Sequence, residues 1–316
     1  MSVQPESTQS ANESLLLQEN NFFQATFSPF PTTPYQIDIT LKTDLPGLSD
    51  LPCAVFVNVF TSIQQLALRL QQELDIARFG LVSGGGHLVS LIPLHGIQPG
   101  SAWKPINAGE TVFNGRTCPG YISSRNGQKM DDKGLNDIRD ILRAVSQLQE
   151  EDIGKTLIGK HDESNLFARL IKEEIPCWKY YDTTDHVAFL TPFPNTTGYS
   201  CVIPKSHFSS DILAMPEEPY RQLLTAGWEV AQLFKQAFHV KSVGFMMEGY
   251  EINHAHLKVV PIWNAGEEEC GGQGVWFEQY PGYLTSQRGK RLNDGQGRET
   301  LEKLSASLRA KLVVAE

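Results

Sequence analysis

A stretch of alternating polar and apolar residues, Gly249–Pro261, constrains the fold more than any other part of the chain. Alternation with Val, Leu and Ile predicts a β-strand, on which every second side chain faces the same way. The polar face of this strand would carry His254, His256 and Lys258. The apolar face would pack into a core through Ala255, Leu257 and Val259. Two imidazoles and an ammonium are costly to bury without a partner, and a phosphate would suit them.

Three interpretations of this polar face remain open. The histidines could be ordinary polar residues of a half-exposed strand. They could be two ligands of a metal ion, since His-x-His on a strand is a common ligand pair. That site needs a third ligand, and the next carboxylate downstream, Glu267, lies beyond the predicted strand. In the third interpretation, one imidazole attacks a phosphorus centre as a nucleophile.

The composition of the chain argues against several classes of function. The chain has 316 residues, a formal net charge of -9 and a hydrophobic share of 41%. An acidic chain of this kind argues against a general binder of nucleic acid or of membrane surfaces. Five scattered cysteines without a C-x-x-C pair favour free thiols in a reducing compartment, so we expect a cytoplasmic protein. We find no apolar run near 18 residues and no secretory signal, and we expect no cofactor and no metal ion.

The sequence pattern predicts an α+β fold. Periodicity predicts strands over Tyr35–Leu41, Cys53–Phe60, Phe79–Val82, His87–Leu94, His186–Leu190, Tyr199–Ile203 and Val243–Met247. It predicts helices over Ser62–Ala77, Leu135–Leu148, Asn165–Glu174, Met215–Phe238 and Glu299–Leu312. The glycine run 84–86 lacks the lysine of a phosphate-binding loop, and we interpret it as a hairpin turn.

We divide the chain into three parts. Residues 1–33 are rich in Ser, Gln, Asn and Pro and are predicted to form a mostly disordered arm, with a short helical stretch near Leu15–Leu17. Residues 34–150 and 160–316 form two domains, separated by a charged, glycine-containing segment.

The two domains resemble each other. Residues 119–127 (PGYISSRNG) echo residues 281–289 (PGYLTSQRG), and an amphipathic helix follows each segment. Leu91-Ile92-Pro93 likewise echoes Val259-Val260-Pro261. Because the matches occur in the same order, we infer an internal duplication. Alignment on the two prolines places Gly86, Leu88 and Ser90 opposite the polar triplet, so the N-terminal half is interpreted as a degenerate copy without catalytic residues.

The C-terminal half resembles the histidine-triad (HIT) family of nucleotide hydrolases and transferases. The family's His-φ-His-φ-His-φ-φ motif stands here as residues 254–260, His-Ala-His-Leu-Lys-Val-Val, followed by proline. The family's strand ending in Ile-Pro-Lys-x-His stands as Ile203-Pro204-Lys205-Ser206-His207. The match covers roughly residues 165–263, with its motifs in the family's order. The resemblance implies a HIT-like antiparallel sheet with packed helices. It also implies that the two halves pair as an intramolecular pseudo-dimer, with further homodimerisation possible.

The resemblance also implies a mechanism and a site. His256 would attack an α-phosphate and form a nucleotidyl-histidine intermediate, as expected of a nucleotide phosphohydrolase or nucleotidyl transferase; dinucleoside polyphosphates and phosphoramidates are candidate substrates. The other catalytic residues would be His254, Lys258 and His207. The nucleotide would be bound by Asn195, Thr196, Thr197, Glu251, Phe167, Ile171, Phe189 and Phe193.

Several positions depart from the family pattern. Lys258 replaces the third histidine, and Thr191 and Met247 stand where many members have Asp and Asn. Asn165 and Ala168 stand where some members carry zinc-binding cysteines, so no structural zinc is expected there. Two other functions therefore remain open. One is a nucleotide-binding or scaffold protein with little or no turnover, and the other is a metal-dependent oxidase or isomerase.

Overall fold

In each half of the chain three strands, a long helix, two strands and a further helix follow one another, and in the second half a short helix precedes them. The computed structural model of the protein describes residues 13–98, 100–109, 112–114, 121–263, 274–292 and 295–312. The strands are β1 (Leu16–Glu19), β2 (Phe23–Phe27), β3 (Ile37–Leu41), β4 (Phe79–Ser83), β5 (Leu88–Pro93), β6 (Trp178–Asp182), β7 (His186–Leu190), β8 (Ser200–Pro204), β9 (Ser242–Met247) and β10 (Leu257–Ile262). The helices are α1 (Cys53–Leu74), α2 (Asp132–Ser146), α3 (Leu166–Ile171), α4 (Glu217–Phe238) and α5 (Gln296–Leu312). Short 3-10 turns lie at Leu48–Asp50, Glu150–Asp152 and Ile212–Ala214.

The strands of the described ranges form one antiparallel sheet, in the order β1-β2-β3-β5-β4-β9-β10-β8-β7-β6. Five strands come from each half, and the order in one half repeats that in the other when read from the opposite edge. In each half the long helix, α1 or α4, lies between the third and fourth strands. The halves meet where β4 pairs with β9, with Val82 opposite Met246. The predicted α+β class and the antiparallel sheet are confirmed.

The echoed segments lie beside each other. Ser123 and Thr285, which occupy the same position in the two echoes, form an antiparallel bridge. Ser124 N donates to Leu284 O at 2.9 Å, and Ser286 N donates to Ile122 O at 3.0 Å. Pairing of equivalent positions is what a two-fold axis between the halves requires. Pro119 and Gly120, which begin the first echo, lie outside the described residues.

Each half sends its last helix onto the outer strand of the other half. Helix α2 packs on β6, where Ser146 Oγ donates to Tyr180 O at 2.6 Å. Helix α5 packs on β1, where Ser305 Oγ donates to Leu16 O at 2.6 Å. The exchange covers both edges of the sheet, which would otherwise present unpaired backbone groups.

The long helices α1 and α4 pack against one face of the sheet and against each other, and their apolar side chains form the main core with alternate strand residues. The predicted core residues Ala255, Leu257 and Val259 are fully buried on this face. Within the described ranges, α1 is the one helix long and apolar enough to cross a membrane. Length and composition alone are weak evidence for a span, because a buried core helix passes the same test.

Two predictions in the N-terminal half were wrong. Cys53–Phe60 is the start of α1, although its Val and Phe content favours a strand. The buried residues Phe56, Phe60 and Ile63 recur at helical spacing, and burial of this stripe outweighs the local β-propensity. Residues 13–33 are not a disordered arm: they contain β1 and β2, and Leu15–Leu17 is not helical. Residues 1–12 of the arm lie outside the described ranges.

The predicted strand over Gly249–Pro261 begins only at Leu257. Residues 249–256 form an irregular segment, hereafter the histidine loop. Gly249 starts the loop with φ +84, a left-handed conformation that favours glycine. A side chain there would also collide with the backbone, because an added Cβ would lie 2.1 Å from Ser210 O.

Candidate functional site

The histidine loop is held against the segment that follows β8. Ala255 N donates to Phe208 O at 2.9 Å, and Ser210 N donates to Asn253 Oδ1 at 3.3 Å. Asn165, the N-cap of α3, donates through Nδ2 to Asn253 O at 3.0 Å. These contacts fix the positions of both histidines although the loop has no strand ladder of its own.

His256 is buried, and its two ring nitrogens have different environments. Nδ1 lies 2.7 Å from the carbonyl oxygen of His254, so Nδ1 carries the proton and Nε2 presents a lone pair. Burial, followed by the nearby charge of Lys258, lowers the pKa of His256 to about 4. The imidazole is therefore neutral at pH 7, which is the nucleophilic form.

His254 belongs to a cluster of three imidazoles. Its Nε2 donates to Pro204 O at 2.9 Å, and its Nδ1 is buried without a hydrogen-bond partner among the described residues. The His207 ring lies 5.3 Å away, and the His161 ring stacks at 6.4 Å with an interplanar angle of 15°. Burial lowers the pKa of His254 to about 3. Burial also lowers the pKa of His207, which remains the exposed member of the cluster.

Lys258 is already paired within the protein. Its Nζ lies 3.0 Å from Glu248 Oε2 and 3.0 Å from Glu251 Oε2. The Tyr280 hydroxyl donates to the other oxygen of Glu248. Although burial by itself lowers the pKa of Lys258, the two carboxylates raise it well above its ordinary value. Lys258 also lowers the pKa of Glu251 against the opposing effect of burial, so this carboxyl and the ammonium are both charged at pH 7.

The N-terminal half contributes a cation to the site. Arg78, at the start of β4, places its guanidinium 4.6 Å from the centre of the Tyr250 ring. Its Nε lies 3.5 Å from Asp211 Oδ1, and its Nη2 lies 3.4 Å from Ser210 Oγ. Arg78 therefore contacts both the histidine loop and the segment packed against it, and its charge contributes to lowering the pKa of His256.

Three of the four apolar residues predicted to bind the nucleotide lie in or next to the histidine site. Phe167 contacts both histidines, with its ring centre 5.8 Å from that of His254 and 5.2 Å from that of His256. Ile171 and Phe189 are buried with Phe167 in one apolar cluster. Phe193 is 42% exposed and lies outside this cluster, so its placement does not support the predicted role in nucleotide binding.

Three further predicted nucleotide ligands lie at the other end of β8 from the residue that His254 contacts. Asn195, Thr196 and Thr197 belong to the turn that joins β7 to β8, next to Ser200, whereas His254 contacts Pro204 at the opposite end of β8. These ends are roughly 13 Å apart, from the rise of an extended strand. The Asn195 amide donates to the carbonyls of Ser123 and Arg125, both at 2.7 Å, and so binds the turn to the other half.

Sequence reasoning missed four residues of the site: His161, Arg78, Glu248 and Tyr280. Glu248 could have been found, because it follows a predicted strand that pairs with the strand carrying Lys258. The other three lie far away in sequence, and no motif connects them to the triad. Among the part of the chain that is described, no group of three or more His, Cys, Asp or Glu side chains is arranged to hold a metal ion. Glu267, weighed as a third metal ligand, lies outside that part, as do Cys118 and Cys270.

The chain is similar in sequence to several known proteins. No protein-family model matches the chain. The adenosine 5'-monophosphoramidase hnt1 of Schizosaccharomyces pombe is 27% identical over 119 residues, which cover 37% of this chain and 86% of that protein. An uncharacterized HIT-like protein of Borreliella burgdorferi is 28% identical over 103 residues, covering 30% of this chain and 73% of that protein. A solved structure of a uridylyltransferase mutant superposes with a TM-score of 0.44 at 13% identity, covering 87% of this chain and 78% of that chain.

These relatives confirm the resemblance first seen in the triad: over about a third of its length, the chain is similar to proteins of the HIT family.

Proposed function

We propose that the protein is a nucleotide phosphohydrolase or nucleotidyl transferase that forms a covalent nucleotidyl intermediate on His256. One observation carries this proposal: Nδ1 of His256 donates to a backbone carbonyl at 2.7 Å, which leaves Nε2 as the nucleophilic nitrogen. The pKa of about 4 keeps that nitrogen unprotonated at pH 7. Phe167 lies against the same ring and restricts its orientation.

The reaction would proceed in two displacements. In the first, the Nε2 lone pair forms a bond to the α-phosphorus, and the bond from phosphorus to the leaving group breaks. The leaving group departs with that electron pair and takes a proton from solvent. In the second, a water oxygen bonds to phosphorus, the N–P bond breaks with its electron pair returning to Nε2, and the water loses a proton. The carbonyl of His254 stabilises the positive charge that the ring gains in the first displacement.

The remaining site residues would bind and orient the phosphate. His207 is exposed beside His254 and can donate a hydrogen bond to a phosphate oxygen. His254 is held by its bond to Pro204, and its backbone carbonyl orients the ring of His256. Phe167, Ile171 and Phe189 form an apolar surface next to the histidines that suits a nucleobase.

The substrate would be a nucleoside phosphate derivative. The S. pombe relative is named as an adenosine 5'-monophosphoramidase, which supports adenosine phosphoramidates as the first compounds to test. Dinucleoside polyphosphates and sugar nucleotides complete the panel. The N-terminal half would be a degenerate duplicate that serves as a structural partner within a pseudo-dimer, and a further homodimer is compatible with this arrangement. We place the protein in the reducing cytoplasm on the basis of its scattered cysteines.

Product analysis by mass spectrometry tests the proposal. The protein is incubated with the panel alongside His256→Ala, and a matched control is His239→Asn, an exposed left-handed residue at the end of α4. Nucleoside monophosphate should be released by the unmodified protein and by His239→Asn, and not by His256→Ala. Equal release by all three proteins would contradict the assignment of His256.

A second function has one observation in its favour. Lys258, at the third position of the triad, is paired with Glu248 and Glu251. A protein that binds nucleotide without turnover would retain this arrangement, because the binding site needs no free cation there. Binding of nucleotide with no product from any compound of the panel would support this alternative over the enzyme.

A further inference from the structure

The charges around Lys258 differ from those expected of a pocket for several phosphates. Glu248 is the buried partner of the ammonium, and the Tyr280 hydroxyl holds it from the other side. Glu251 is the accessible partner, since its side chain is 29% exposed and lies in the histidine loop three residues before His254. One carboxylate is therefore enclosed, and the other is partly exposed to solvent.

The described charged side chains around His256 carry an excess of negative charge. The cations are Lys258 and Arg78, both of which influence His256. The carboxylates are Glu248 and Glu251 on Lys258 and Asp211 on Arg78. With His254 and His256 neutral, the two cations and three carboxylates among the described residues give a formal excess of one negative charge beside the nucleophile.

We propose that Glu251 is a specificity-determining residue that selects substrates with a single phosphate charge and an uncharged or cationic leaving group, and rejects polyphosphates. The inference rests on the proposed function, because it assumes that the phosphate binds at His256. A phosphate that approaches Lys258 competes with Glu251 for the same ammonium. Each additional phosphate adds like-charge repulsion, which is strong in a partly buried site.

The same geometry explains why Glu251, and not Glu248, carries the selectivity. A substrate can displace Glu251 from Lys258, since this side chain reaches solvent at one side. Glu248 is fixed by two hydrogen bonds and is 2% exposed, so its charge stays in place whatever is bound. An amine leaving group would gain from a nearby carboxylate, whereas a pyrophosphate leaving group would be repelled by it.

Calorimetric titration of AMP, ADP and ATP without divalent cations tests the inference. Glu251→Gln removes the charge at nearly constant shape, and Glu251→Asp retains it. Glu217→Gln, an exposed carboxylate at the start of α4, controls for the change in total charge. The unmodified protein should bind AMP more tightly than ATP. Glu251→Gln should shift the ATP-to-AMP affinity ratio towards ATP by about tenfold, an estimate for loss of one partly screened like charge.

The outcomes separate the inference from the proposed function. Glu251→Asp and Glu217→Gln should keep the ratio of the unmodified protein. An unchanged ratio in Glu251→Gln, with all three nucleotides still bound, overturns the role of Glu251 and leaves the proposed function standing. Absence of binding of any nucleotide to the unmodified protein contradicts the proposed function, and the inference with it.

Discussion

Replacement of Lys258 by Met should destabilise the protein strongly. The ammonium lies 3.0 Å from each of two carboxylates, and its own side chain and that of Glu248 are only 5% and 2% exposed. Removal of one member of a buried ion pair leaves an uncompensated charge and costs about 3–5 kcal/mol. At about 2.1 cal/mol/K of unfolding entropy per residue, that loss corresponds to a fall in melting temperature of roughly 5–8 °C.

A double-mutant cycle isolates the cause. Thermal unfolding followed by circular dichroism is compared for Lys258→Met, Glu248→Gln and the combined variant. The combined variant should recover much of the stability lost in Lys258→Met, because the stranded carboxylate is then gone. A loss of less than about 1 kcal/mol in Lys258→Met would place the pair among weak surface ion pairs and refute the reasoning.

Three further predictions concern the histidine loop. Gly249→Ala should cost on the order of 2 kcal/mol and reduce turnover, because its φ is +84 and its Cβ would meet Ser210 O; urea unfolding and steady-state kinetics measure the two effects. Arg78→Met should raise the pKa of His256, so the acid limb of the kcat/KM profile should move to higher pH. The pKa values of His256 and His254 are about 4 and about 3, below the 6.5 of an unfolded histidine. Unfolding therefore takes up protons below pH 6.5, so the free energy of unfolding should fall as the pH drops from 6.5 through 4. Thermal unfolding across that pH range measures this change.

Each of these three predictions has a result that would contradict it. A Gly249→Ala protein with the stability and turnover of the unmodified one would show that the loop tolerates a side chain at its first residue. An acid limb unmoved in Arg78→Met would remove this residue from the electrostatics of His256. A flat stability profile between pH 7 and 4 would mean that the buried histidines accept protons without unfolding.

Much of the sheet could be predicted from the sequence because apolar alternation is local. Strand β7 occurs with its predicted bounds, and β4 and β5 differ from theirs by a residue. The start of α1 was predicted as a strand, since Val and Phe favour strands and the helical burial stripe emerges only in the packed core. Strands β1 and β2 were missed because their few apolar residues acquire partners only through the sheet and α5.

The site residues, like the strands, could be predicted only where their signal is local in the sequence. The triad motif identified His254 and His256, since their spacing is visible in the chain. It could not reveal that Lys258 is neutralised within the protein, because Glu248 and Tyr280 reach it through folding. Arg78 could not be found either: it lies in the other half and meets the histidine loop only where β4 pairs with β9.

The central claim is that His256 carries the nucleotidyl group during turnover. The most direct measurement is rapid quenching of the protein mixed with an adenosine phosphoramidate, followed by intact-mass analysis and peptide mapping at alkaline pH, where a phosphoryl-imidazole bond survives. The account predicts an added adenylyl group on the peptide that contains His256, absent from His256→Ala and lost once the substrate is exhausted. Product formation at full rate with no adduct on this peptide, or with the adduct on another residue, would contradict it.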